Sequence, residues 1–343
     1  MHVLSPERAD LAACRAALRH GSRTFLAASH LLPPAVRDGA TALYAFCRDA
    51  DDAIDLGTDP AAAHARLLLR LDAIYGGRPE DNAVDRAFAR IAVRYAIPRE
   101  LPEALIEGFR WDATGRTYET ISDLLAYASR VAGSVGVMMA LLMERRAAPV
   151  LARAAELGMA MQLTNVARDV GEDARIGRLY LPRQWLRETG VDPEAWLAQP
   201  AFTPQMAAVV ARLLDDAEQL YGRAEQGIAA LPAACRPGIR AARTLYAAIG
   251  DEVARRGYDS VSTRAVVPGT AKLARLARMA VVKLPADARR DAIALAEARH
   301  LVDAAASIAP ALDLADDGRI VWLLSLFDRL ERRDLARGGM AAS

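Results

Sequence analysis

A single all-helical domain is the fold this sequence predicts, and three observations carry that expectation. Of the 343 residues, 53% are hydrophobic and only 6% aromatic, so the core must be assembled mainly from Ala, Leu, Val and Ile. Alanine is the strongest helix former, and alternating β-branched runs are scarce. No internal repeat or low-complexity linker divides the chain, whose length suits one large domain.

Taken in order, residues 5–30 read as a helix whose end carries Gly21-Ser22-Arg23-Thr24-Phe25. That cluster offers backbone N–H groups, two hydroxyls and a cation, all suited to phosphate oxygens. An ordinary helix–turn junction is the plainer account of it. Pro33-Pro34 starts a second helix, since proline is tolerated in a first turn but not in an interior, and Gly57 ends it. An amphipathic helix at 60–76 closes on Gly76-Gly77. Helices at 81–96 and 99–115 follow, the second leading into the polar turn of Trp111–Tyr118. Asp123–Met143 reads as one long helix, notched by Gly133, Ser134 and Gly136. Glycine costs about 1 kcal/mol in a helix interior, so the notch calls for a close packing partner or a ligand. Met161–Asp173 is helical, and in the loop Gly177–Pro182 that leaves it Arg178 and Tyr180, with Arg175, can fold back as a cover. Helices at 203–230 and 236–257, a polar basic connector at Gly257–Pro268 and a short basic helix at 269–284 come next. Residues 286–307 read as an Ala-rich helix, and 317–335 as an amphipathic one with Trp322 and Phe327 on its apolar side.

The chemistry concentrates in two of these helices. Gln162, Asn165, Asp169 and Asp173 recur at steps of three, four and four, which puts them on one helix face with Arg168 and Glu172 flanking. Carboxylates one turn apart repel by roughly 0.2–0.5 kcal/mol on an exposed helix. Taken alone, such a pair is ordinarily a solvated acidic end, neutralised here by Arg168, Arg175 and Arg178. A second face upstream weighs against that account: Tyr44, Arg48, Asp51 or Asp52, and Asp55 follow the same steps. Two such helices facing each other would crowd four carboxylates into one cavity, which requires cations between them. Oxygen-only ligands favour hard ions, and Mg²⁺ takes one or two carboxylates and leaves its other positions to water and substrate phosphate. A Mg²⁺–diphosphate clamp is the expected site. Removing Asp51 or Asp169 should abolish turnover and, by relieving repulsion, leave stability unchanged or slightly higher.

Composition excludes other classes. A net charge of +1 gives no electrostatic argument for nucleic acid. Cys14, Cys47 and Cys235 are isolated, so neither a disulfide framework nor a zinc site is indicated, and the five histidines lack ligand spacing. The start, MHVLSPERAD, is too charged to begin a secretory signal. The longest nearly apolar stretch, Val131–Met143, has 13 residues, short of the ~20 a bilayer span needs. A soluble protein of a reducing compartment is expected.

Asp51-Asp-Ala-Ile-Asp55 and Asp169-Val-Gly-Glu-Asp173 resemble the paired aspartate-rich motifs of the head-to-head prenyl synthases, the squalene and phytoene synthases. QLTNVARDVGED with GRLYLP, VAGSVG at Val131–Gly136, and RPGIRAARTLYAAIGDEVARRGYD at Arg236–Asp259 look like the family's bacterial phytoene-forming members. The resemblance covers roughly residues 10–285. It implies an isoprenoid-synthase-like helical bundle around a central cavity, as a domain at 1–285 with a C-terminal extension at 286–343 packed on or appended to it. It implies that two geranylgeranyl diphosphates couple through a cyclopropyl diphosphate to phytoene, with Mg²⁺ (or Mn²⁺ in its place) and no nicotinamide cofactor. By the resemblance, Asp51, Asp55, Asn165, Asp169 and Asp173 hold the ions. Arg48 and Arg168 pair with diphosphate oxygens, as Ser22, Arg23 and Thr24 do, and Tyr44, Gln162, Arg178 and Tyr246 line the substrate. One departure is Ser129, where relatives carry a tyrosine thought to lie near the reacting carbons; Tyr127 is the nearby aromatic. The alternatives are a squalene or dehydrosqualene synthase using farnesyl diphosphate, a head-to-tail synthase or cyclase, and a non-catalytic assembly factor. The last would be expected to lose metal-binding aspartates, and all four are present.

The resemblance also implies partners and place. Geranylgeranyl diphosphate is the expected ligand and a downstream desaturase the expected recipient of product. A C40 hydrocarbon does not diffuse through water, so a cytoplasmic enzyme working against a membrane surface is expected. Arg319–Arg333, with Trp322, Leu323, Leu326, Phe327 and Leu330 against Arg329, Arg332 and Arg333, has the form of an interfacial helix. Packing of that stripe on the domain's own surface is the ordinary alternative.

Overall fold

The computed structural model describes residues 5–21, 33–55, 59–281 and 293–307. Their elements are α1 (Pro6–Gly21), α2 (Pro34–Asp55), α3 (Pro60–Tyr75), α4 (Ala83–Arg94), α5 (Glu100–Ala113), α6 (Ile121–Ala128), a π-helical turn (Ser129–Gly133) and α7 (Ser134–Leu142). After these come α8 (Ala148–Arg175), α9 (Arg183–Glu188), α10 (Pro193–Ala198), α11 (Pro204–Ala230), α12 (Arg236–Arg255), α13 (Gly269–Val281) and, behind a 3₁₀ turn at Ala296–Ala298, α14 (Arg299–Ala306). No strand occurs among the described residues.

Local chemistry sets many of the helix starts. Asp59 caps α3 by accepting from the backbone N–H groups of Ala61 and Ala62 at 2.9 and 3.1 Å, with Pro60 in the first turn. Thr120 and Asp123 form a reciprocal capping box at α6. Asn82, Asp192 and Thr203 cap α4, α10 and α11 in the same way.

The organising element is α8, 28 residues long, against which α6, α7, the π turn, α11, α12 and α14 all pack. The first half of the chain forms the facing layer: α2 packs on α1, α3, α4, α5 and α7, with Phe46 and Phe88 stacked at 4.0 Å between α2 and α4. Both motif helices therefore meet α7.

Three expectations change. Residues 161–173 are only the last half of a helix that begins at Ala148, because nothing upstream breaks the pattern. Ile121–Leu142 is continuous through the π turn, and its 22 residues are long and apolar enough to cross a membrane. That exceeds the 13-residue estimate, yet 83% of its most apolar window is buried, so it is a core helix of the bundle. Of the helix expected at 286–307, residues 286–292 lie outside the described residues, 293–295 are non-helical, and the α-helix described runs from Arg299 to Ala306. The amphipathic stretch at 317–335 lies outside the described residues.

The glycine notch resolves as helix packing. A Cβ on Gly136 would sit 2.9 Å from the Ala154 carbonyl carbon, and one on Gly158 would sit 2.7 Å from that of Ala132. Backbone touches backbone where the π turn and α7 cross α8, a contact that only glycine permits.

Candidate active site

On α2, Arg48 turns chiefly to Asp52, at 2.6 and 2.9 Å, and stands 4.0 Å from Asp51. Tyr44 and Asp51 are buried on the same helix. Asp55 closes α2; its side chain lies outside the described part of the structure, as do Ser22, Arg23 and Thr24.

On α8 the predicted face is present and more buried than an acidic helix end would be. Gln162 accepts from Asn165 Nδ2 at 3.5 Å. Asn165 Oδ1 is buried and has no hydrogen-bond partner among the described residues. Arg168 grips Asp169 with both ends of its fork, each at 2.7 Å, and Arg264 adds a third contact at 2.8 Å. Arg264 also stands 3.7 Å from Glu172. Burial opposes ionisation of Asp169, but the two guanidiniums outweigh it and hold its carboxyl below the usual range. Burial and the like charge of Arg168 lower the pKa of Arg264. Tyr246 is fully buried beside Arg168 and Asp169, and burial raises its phenol well above normal.

This overturns one expectation. Asp169 does not repel its surroundings: among the described residues it is the carboxylate that pairs with Arg168, and its removal strands buried positive charge.

The connector holding Arg264 is more than a polar link: it clamps the motif helix. Gly171 N–H donates to Ser260 O at 3.0 Å, and Arg175 Nη2 to Val261 O at 2.9 Å. The close approach needs glycine: a Cβ on Gly171 would lie 2.7 Å from the Val261 carbonyl carbon. Arg175 therefore belongs to the clamp instead of the cover. Gly177, at φ 75°, makes the turn out of α8, and Arg178 N–H returns to Asp173 O at 2.8 Å.

A second buried group escaped the sequence reading. Asp112, at the end of α5, accepts from Tyr127 at 2.7 Å and from Tyr180 at 2.6 Å. Tyr118 completes a cluster of three rings with centroids 5.3–5.8 Å apart. Its hydroxyl is buried and has no hydrogen-bond partner among the described residues, and burial raises its pKa. Tyr180 thus points inward to Asp112. Tyr127 is committed to the same carboxylate, while Ser129 bonds its own helix at Ala126 O, 2.8 Å away. The available signal was a lone aspartate at an apolar helix end, which a buried position obliges to find donors.

Among the described residues, no three His, Cys, Asp or Glu side chains gather as a metal site. The donor chemistry nevertheless suits a hard divalent ion: every candidate ligand offers oxygen, and Asn165 Oδ1 is a buried acceptor with no donor among the described residues. Guanidiniums supply the positive charge that these carboxylates face here.

Comparison with known proteins agrees with this arrangement. The squalene/phytoene synthase family profile matches residues 18–271. The phytoene synthase of Cereibacter sphaeroides is 49% identical over 341 residues, 95% of each chain. That of Rhodobacter capsulatus is 52% identical over 306 residues, 87% of this chain and 90% of that one. Among solved structures, a dehydrosqualene synthase in complex with ligand aligns with TM-score 0.72 at 30% identity, covering 80% of this chain and 98% of that chain. The squalene synthase HpnC of Alicyclobacillus acidocaldarius gives TM-score 0.70 at 26% identity, over 75% and 97%. The helical bundle, its two aspartate-bearing helices and these full-length likenesses converge, and the chain belongs to the squalene/phytoene synthase family.

Proposed function

We infer that this chain is a phytoene synthase, joining two geranylgeranyl diphosphates head to head and releasing two diphosphates and a proton. The observation that carries the reading is near-end-to-end likeness, at 49% identity, to a curated phytoene synthase. The solved neighbours named for C15 chemistry stand at 30% and 26%.

Arg48 and Arg168 offer planar forks that match diphosphate oxygens, the first from α2 and the second from α8. Arg264, already at Asp169, brings a third guanidinium to the same end of α8. When bound, Mg²⁺ held by Asp51, Asp55, Asn165, Asp169 and Asp173 would neutralise charge developing on the leaving diphosphate. The α6–α7 helix and its apolar neighbours exclude water, which protects carbocations from quenching. Tyr246 and Tyr118, their phenols pushed up by burial, stay protonated at neutral pH and present neutral hydroxyls.

Incubation with geranylgeranyl or farnesyl diphosphate, each with and without NADPH and with Mg²⁺, Mn²⁺ or EDTA, tests the reading. Phytoene from the C20 substrate, independent of NADPH and lost in EDTA, is the expected result. Squalene or dehydrosqualene from the C15 substrate with no C40 product refutes it, and no product from either favours an assembly factor. The same proposal places the enzyme at a membrane surface, delivering product to a desaturase. Liposome flotation of the full chain against a chain truncated after Asp316 tests that part, and equal binding excludes a membrane role for Arg319–Arg333.

A further inference from the structure

We propose that α14, which lies beyond the last residue of the family match, is a working part of the active-site frame. Its Leu301 is a positioning residue that holds the π turn Ser129–Gly133, and through it Tyr127 and Asp112, in register.

The packing places Leu301 there. The helix lies against α5, α7 and α8, the 3₁₀ turn that precedes it packs on the π turn, and Leu301 and Ala305 are fully buried. A Cβ on Gly133 would meet Leu301 Cδ1 at 3.5 Å and Met159 Cγ at 3.4 Å, so Leu301 fills the space beside that glycine. The segment is tied at several points. Arg153 and Arg223 converge on Ile293 O at 3.0 and 3.5 Å, and both are held by the fully buried Glu156 at 2.5–2.6 Å. Ser122 Oγ donates to Glu297 at 2.5 Å, and Arg146 reaches Ala305 O at 3.5 Å.

A π turn needs such a brace. Ser134 N–H donates five residues back to Ser129 O, a rare spacing that is frequent at functional sites where it does occur. Relaxation to regular α-helix would slip the register by one residue, and one residue is a rotation of about 100°. Tyr127, two residues before the turn, would then leave Asp112. Asp112 also holds Tyr180 in the loop leaving α8, whose Arg178 N–H binds Asp173 O. The brace thus connects by contact and hydrogen bond to the end of the motif helix.

The test is a double-mutant cycle of Leu301→Ala and Gly133→Ala in the full chain, with kinetics well below each variant's melting temperature. Since about 1 Å of misplacement can cost on the order of 10²-fold, Leu301→Ala is expected to lower kcat by about tenfold with KM within about twofold. Gly133→Ala adds a methyl at ordinary contact distance and changes kcat by less than about twofold. In the double variant that methyl partly refills the space, so kcat should recover to within about threefold of wild type. A kcat for Leu301→Ala within about twofold of wild type, or a double variant no faster than Leu301→Ala, overturns the proposal. If Leu301→Ala does not fold, Leu301→Val carries the same cycle. The proposal rests on the phytoene-forming reading only for its assay. A wild type that makes no phytoene fails that reading, whereas normal wild-type turnover with an additive cycle fails this one.

Discussion

Replacing Asp169 by asparagine keeps the side chain's shape and removes its charge. Three hydrogen bonds of 2.7–2.8 Å lose their anionic acceptor: the amide Oδ1 can still accept, but Nδ2 would face Arg168 Nη2 donor to donor. The side chains involved are only 5% (Arg168), 12% (Arg264) and 13% (Asp169) exposed, so water does little to compensate. Removing one partner of a buried ion pair costs about 3–5 kcal/mol, since the remaining charge is left uncompensated. With an unfolding entropy of about 2.1 cal/mol/K per residue over 343 residues, the melting temperature should fall by about 4–7 °C. The effect has a pH signature. Because the folded carboxyl titrates below its unfolded value near 3.9, its contribution is complete above that value and lost as pH falls through the folded pKa. Wild type and variant should therefore converge in acid. Thermal melts by circular dichroism in metal-free buffer, at pH 7 and pH 3, provide the measurement. Asp51→Ala is the contrast at Arg48: that guanidinium stands 4.0 Å from Asp51 and pairs with Asp52 at 2.6 Å, so it keeps a carboxylate partner when Asp51 is removed. An Asp169→Asn protein that melts at or above wild type would show that repulsion dominates and refute the argument.

Gly171→Ala forces a methyl into the backbone of Val261 and should cost about 1–3 kcal/mol. Limited proteolysis should then cut the connector between Tyr258 and Arg264 faster than in wild type, and an unchanged cleavage rate contradicts the clamp. Tyr180→Phe and Tyr127→Phe each remove one donor from buried Asp112, worth about 1.5–3 kcal/mol. Urea midpoints report the loss, and two variants as stable as wild type would mean that Asp112 is satisfied without them.

The local pattern of the chain determined its helices and the residues at its site. Steps of three and four put Gln162, Asn165, Asp169 and Asp173 on one face, and no distant part of the molecule alters that. Prolines and capping residues located many helix starts for the same reason. What neighbours those faces was decided by tertiary structure. Asp169 is expected to repel because Glu172 and Asp173 lie one turn along the helix, yet Arg168 folds onto it at 2.7 Å and Arg264, 95 residues away, lies at 2.8 Å. Gly133 and Gly136 were equally consistent with a ligand or a helix until α7 met α8. Asp112 carries no motif, and only the convergence of Tyr127 and Tyr180 from other elements gives it a role. Helical periodicity is a property of contiguous residues and is visible in the sequence. The sign and partner of a buried charge depend on which distant segments fold against it, and only the assembled bundle specifies them.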